Sequence, residues 1–145
     1  MSRVCMPLVL SFLPGLMSED AKLSSQTMLE FAESLFTDPA EIPWSLKCNW
    51  LGMAVHQSPV HRSFVVSRPQ DPNGLHELGA SGLPLLVLYG TQDKQVNGKA
   101  VAEEMQPYFK HLEVCAIERN GSHAVHHDNV EELLAAISKF VDSLK

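Results

Sequence analysis

The pattern of apolar and polar positions divides the chain into two textures. Residues 7–13 (Pro-Leu-Val-Leu-Ser-Phe-Leu) form a short apolar run stopped by Pro14-Gly15. Its length and its stops predict a buried strand. From residue 24 the period lengthens. Met28, Leu29, Phe31, Ala32, Leu35 and Phe36 recur at three- and four-residue spacing, which predicts a helix over 24–36. Ser24 or Ser25 is placed to cap it, and Asp38-Pro39 breaks it. A broadly apolar helix is expected over 42–57, with Pro43 in its first turn and Trp44 and Trp50 placed to line a substrate pocket or, as such residues more often do, to anchor helix packing. Ser58-Pro59 opens a short helix through Phe64, Val65 and Val66. Asp71-Pro72 opens another over 72–80, closed by Ser81-Gly82.

Beyond residue 82 the texture changes. Leu83 to Tyr89 is a continuous apolar strand stopped by Gly90. A loop over 91–98 precedes a helix over 98–109, with Val101, Ala102, Met105 and Phe109 on its apolar side. Residues 112–117 read as a second strand and 118–127 as a loop. The last helix spans 129–143, with Val130, Leu133, Leu134, Ile137, Phe140 and Val141 spaced for one buried face. Strand, helix, strand, helix is a βαβ crossover with a closing helix, so the sheet is parallel. The fold class is α/β, with about three strands. Residues 1–16 supply one strand of the sheet, 17–82 a helical insert, and 83–145 the βαβα unit.

Composition narrows the function classes. The chain has 145 residues, 45% hydrophobic and 19% charged, enough for one domain with a core. The formal net charge is −6 and Lys and Arg form no run, which argues against nucleic acid or an anionic membrane as partner. No apolar stretch approaches the ~20 residues of a membrane span. Cys5, Cys48 and Cys115 are too few and too widely spaced for a disulfide framework or a zinc motif. They read as buried, reduced thiols in a cytoplasmic protein. The N-terminal run after Arg3 has the outline of a signal peptide, but Pro7 and Pro14 flank it and no small-x-small site follows.

The candidate chemistry sits at two strand ends. In a parallel sheet, reacting groups gather beyond the carboxyl ends of the strands. Asp93 follows the first strand of the crossover and His123 the second, so both are expected at one edge. A carboxylate that orients an imidazole is the acid–base part of a nucleophilic triad. His126 and His127, with His123 and Asp128, raise a metal site. Their spacing matches no helical zinc motif and no Cys joins them, so they read as residues at a helix entrance and no metal is assigned.

The segments around these residues resemble the α/β-hydrolase family. Leu-Pro-Leu-Leu-Val-Leu-Tyr-Gly-Thr-Gln-Asp-Lys-Gln-Val is similar to the family's strand followed by Gly-x-x-Asp-x-x-Val, with Gly90, Asp93 and Val96 in those places. Asn-Gly-Ser-His-Ala-Val-His-His-Asp-Asn resembles the segment of the catalytic His, matched here by His123. Residues 7–16 look like the strand before the family's cap, and 17–82 like the cap itself. The order acid then base agrees with the family's Ser…Asp…His. The resemblance implies a serine-type hydrolase without cofactor, acting on a small apolar ester-like substrate. The family's Gly-x-Ser-x-Gly elbow does not occur in these 145 residues, nor does its oxyanion loop, so no nucleophile is assigned. Ser11, Ser18 and Ser122 lie on no Gly-flanked strand-to-helix turn. Two functions are expected on this basis: the acid–base half of a hydrolase, or a non-catalytic remnant of the fold that associates with itself through an exposed sheet edge.

Overall fold

The computed structural model describes residues 3–145, apart from the side chains of Val55 and Val66. The βαβα unit forms as the pattern predicts. Strand β1 (Leu85–Gly90) and strand β2 (Leu112–Ile117) pair in parallel, Leu85 opposite Leu112 and Gly90 opposite Ile117. Parallel neighbours require a crossover, and the helix Gly98–Met105 provides it. Asn97 caps that helix by accepting from the Ala100 N–H at 3.1 Å.

The remaining helices lie mostly N-terminal to this unit. We label them α1 (Pro7–Leu16), α2 (Ala21–Glu33), α3 (Trp44–Val55), α4 (Pro59–Ser67) and α5 (Asn73–Ala80). The crossover helix is α6, and α7 (Val125–Asp128) and α8 (Val130–Ser143) follow β2. Asp20, rather than Ser24 or Ser25, caps α2, accepting from the Leu23 N–H at 2.8 Å. Ser24 is buried and accepts from the Arg62 guanidinium at 2.8 Å. Helix α5 ends in a Schellman turn: the N–H groups of Gly82 and Leu83 donate to Gly79 and Leu78, and Gly82 takes φ +102°.

The expected strand at 7–13 is helix α1, so the described sheet has two strands rather than three. The first two residues of the 1–16 segment lie outside the described residues. A short apolar run satisfies helix and strand patterns alike. Two physical terms decide it here. Pro7 stands at the start of the helix, where its fixed φ and missing N–H cost nothing. A strand without a neighbour leaves its backbone groups unpaired, whereas a helix pairs them internally. Helix α1 then packs on α2, Phe12 edge-to-face on Phe31 at 5.8 Å. Residues 4–6 instead run antiparallel beside 95–97, through Met6 N–H to Gln95 O at 2.9 Å and Asn97 N–H to Val4 O at 2.7 Å.

A compact core joins the helical part to the end of the sheet. Phe36, Ile42 and Ala124 are buried together, flanked by Leu35, Leu46 and Trp50. Phe36 stacks on Trp50 at 5.3 Å and meets the His127 ring edge-on at 5.2 Å. Arg62 of α4 donates to the Leu16 and Gln57 carbonyls, and the Lys47–Glu33 ion pair ties α3 to α2. Helix α8 departs from expectation, because none of its residues is fully buried. Leu133 and Phe140 are half-buried, whereas Val130, Leu134, Ile137 and Val141 are 41–57% exposed. The three cysteines are free thiols and none is fully buried, contrary to the sequence reading. Among the described residues, no helix is long and apolar enough to cross a membrane.

Replacing Phe36 by Ala removes the aromatic centre of this core. We expect a loss of about 3 kcal/mol in unfolding free energy, read from the urea midpoint. A change below about 1 kcal/mol would show that the cluster does not hold the helices to the sheet.

Candidate active site

The site begins where β1 and β2 end. Because the strands are parallel and in register, Gly90 and Ile117 finish at the same edge. The two following loops then bond directly to each other: Thr91 N–H to Ile117 O at 2.9 Å, and Gln92 N–H to Gly121 O at 2.8 Å. Both loops carry a glycine at the crossing. A Cβ on Gly90 would stand 2.0 Å from the Gly121 oxygen, and one on Gly121 would stand 1.9 Å from the Ile117 oxygen. Backbone meets backbone here, leaving no room for a side chain on either residue. Asn120, at φ +51°, turns the second loop back towards the first.

This crossing delivers Asp93 to His123. The Oδ2 atom of Asp93 lies 2.9 Å from Nδ1 of His123. Its other oxygen, Oδ1, accepts from the Gln95 N–H at 2.7 Å and the Val96 N–H at 3.0 Å. The carboxylate is therefore held at both oxygens, and its side chain is only 7% exposed. The imidazole is 40% exposed. An ionised carboxylate only accepts, so in the neutral ring the shared proton sits on Nδ1 and Nε2 carries the lone pair. An imidazole in this state can take a proton from an adjacent hydroxyl and return it to a leaving group.

The other sequence candidates are occupied elsewhere. Ser11 donates to the Leu8 carbonyl at 2.7 Å, and Ser18 accepts from the Asp20 N–H at 3.1 Å. Ser122 is buried, accepts from the Ala124 N–H at 3.0 Å and donates to Asp128. His127 Nδ1 pairs with Asp128 Oδ1 at 2.9 Å, while Asp128 Oδ2 accepts from the Thr37 N–H at 2.9 Å. These contacts place His127 and Asp128 in the core's framework. Among the described residues, no three His, Cys, Asp or Glu side chains are grouped to hold a metal ion.

Burial pushes the Asp128 carboxyl up, but hydrogen bonds from Ser122, the Thr37 backbone, His127 and the Thr37 side chain together hold it below the ordinary 3.8. Sequence reading missed Gln95, Thr37 and Ser122 as supports of the site. Their partners lie 61 to 91 residues away for Gln95 and Thr37, and no local pattern marks such pairings.

No family model matches the sequence, and no curated protein matches it. Solved structures do. A putative aryl esterase from Burkholderia cenocepacia superposes with a TM-score of 0.73 at 20% identity, over 97% of this chain and 49% of its own. An esterase from a Rhodococcus species gives 0.69 at 23% identity, over 93% and 47%. A 2-hydroxy-6-oxo-6-phenylhexa-2,4-dienoate hydrolase from Rhodococcus gives 0.70 at 17% identity, over 98% and 51%. The chain therefore has a partial α/β-hydrolase fold. It spans about half the length of the solved structures it resembles.

Two outcomes test the site's framework. Gly90→Ala should lower the unfolding free energy by at least about 2 kcal/mol, because its new methyl meets fixed backbone rather than a movable side chain; an unchanged melting temperature would show that the loops are not in contact. Asp128, held below 3.8, contributes stability that is complete above that value and is lost as pH falls through its folded-state value. Asp128→Asn should flatten the acid side of the stability curve between about pH 5 and pH 2. An acid slope identical to wild type would remove Asp128 from that role.

Proposed function

We propose that this chain supplies the acid and base of an α/β-hydrolase active site whose nucleophile lies on polypeptide outside these 145 residues. The observation that carries the reading is the Asp93–His123 pair at 2.9 Å, borne by successive parallel strands in the order acid then base. Asp93 holds the ring, and His123 deprotonates the nucleophile and later protonates the leaving group. Without a nucleophile and oxyanion donors, the chain by itself carries little catalytic power. The helices over 17–82 act as the cap. An apolar cavity of about 660 Å³ lies between α1, α2, α3 and α4, lined by residues such as Leu16, Phe31, Trp50 and Leu51. Neither Asp93 nor His123 lines it, but Leu35 and Trp50 belong both to its wall and to the cluster around Ala124. Such a volume suits a small apolar ester, in keeping with the esterases among the structural neighbours. The free thiols agree with a reducing, cytoplasmic setting, and no cofactor or nucleic acid enters this reading.

A second reading has its own observation. The exposed row Val130, Leu134, Ile137 and Val141 repeats at four, three and four residues, the spacing of a helix-packing seam. It favours a non-catalytic remnant that pairs with a second copy. This seam replaces the sheet edge at 7–13 as the expected contact, because that segment is helical.

Upstream coding DNA and an ester assay decide between them. The hydrolase reading expects a continuous frame encoding Gly-x-Ser-x-Gly. The extended protein should cleave p-nitrophenyl acetate, and His123→Ala should lower kcat by about 10³-fold or more. A His123→Ala rate equal to wild type would sink the reading. So would the absence of such a frame together with a dimer of this chain that Ile137→Lys converts to monomer.

A further inference from the structure

We infer that Gln95 is a positioning residue that couples the orientation of Asp93, and through it the tautomer of His123, to helix α2. The inference rests on the acid–base reading of Asp93 and His123. Gln95 is a polar residue only 5% exposed, and a buried amide is costly unless its donors find partners. Its Nε2 donates to the Phe31 carbonyl at 3.1 Å and to the Ser34 hydroxyl at 2.8 Å. Phe31 lies in the last turn of α2, where its carbonyl also accepts from the hydroxyl of the C-cap Ser34 at 2.7 Å. Gln95 thus caps α2 from across the fold. Its own N–H, meanwhile, makes the shorter of the two bonds that hold Asp93 Oδ1. One residue grips the acid with its backbone and α2 with its side chain.

The base loop is tied to the same stretch. Leu35 O accepts from the Ala124 N–H at 2.9 Å, next to His123. Thr37 donates its N–H to Asp128 and its hydroxyl to the Asn120 carbonyl at 3.0 Å. Residues 31–37 are therefore a common reference for both loops, and Gln95 is the side chain that brings the acid into that frame. Removing its donors cuts the side-chain link between the acid loop and α2, while the bonds of Leu35 and Thr37 to the base loop and the backbone bonds between the two loops remain. A half-exposed imidazole depends on a carboxylate at a fixed place to keep its proton on Nδ1.

The imidazole ¹⁵N shifts of His123 report which nitrogen carries the proton. They are recorded over a range of pH and assigned by their loss in His123→Ala. Wild type should show the Nδ1–H form in excess. Asp93→Asn should lose that excess. Gln95→Met, which keeps the volume and removes the donors, should lower the Nδ1–H population at least about twofold towards the Asp93→Asn value. If Gln95→Met does not fold, Ser34→Ala removes one acceptor and carries the same test in the same direction. A folded Gln95 variant of reduced stability with the wild-type tautomer would make Gln95 a mere helix cap and overturn the inference. An Asp93→Asn protein with the wild-type tautomer would overturn the acid–base reading itself.

Discussion

Everything at the site depends on two glycines pressed together. Gly90 closes β1 and Gly121 lies in the loop after β2, and the carbonyl of one occupies the space where a Cβ of the other would stand. That approach lets the Gln92 N–H reach Gly121 O. Two loops that close then share one set of backbone bonds and behave as a single rigid rim. Asp93 and His123 project from this rim three residues beyond one glycine and two beyond the other. The main-chain crossing sets the two side chains side by side, and they meet at 2.9 Å.

The rim alone would not hold the carboxylate in place. Asp93 is clamped by the amides of Gln95 and Val96, and residues 31–37 brace both loops from the helical side. The helical part and the sheet are thus more than neighbours. The buried cluster of Phe36, Ile42 and Ala124 unites them next to His123. An apolar cavity shares Leu35 and Trp50 with that cluster. In the proposed enzyme, a substrate settling among these helices would press on the same elements that orient the acid and base.

The unused surface is informative in another way. Helix α8 leaves a row of apolar side chains in solvent, and α1 is a helix where a third strand was expected. The chain spans about half the length of its structural neighbours. Burial of that row, against further polypeptide or a second copy, would supply hydrophobic stabilisation that the two-stranded sheet cannot provide by itself.

The order β, α, β, α over 85–143, the helices α2 to α5 and the pair Asp93 and His123 could all be read from the amino-acid sequence. Those features rest on local signals: apolar periodicity, capping residues, glycines after strands, and an acid and an imidazole in fixed order. The state of residues 7–16 could not be read, because an apolar run of that length suits either element and only the presence or absence of a neighbouring strand decides it. Nor could Gln95 and Thr37 be recognised as supports, since each acts through a partner that only the folded chain brings near. Sequence determines which chemistry the strand ends carry. Tertiary structure decides what holds that chemistry still, because buried hydrogen bonds between distant segments leave no period along the chain.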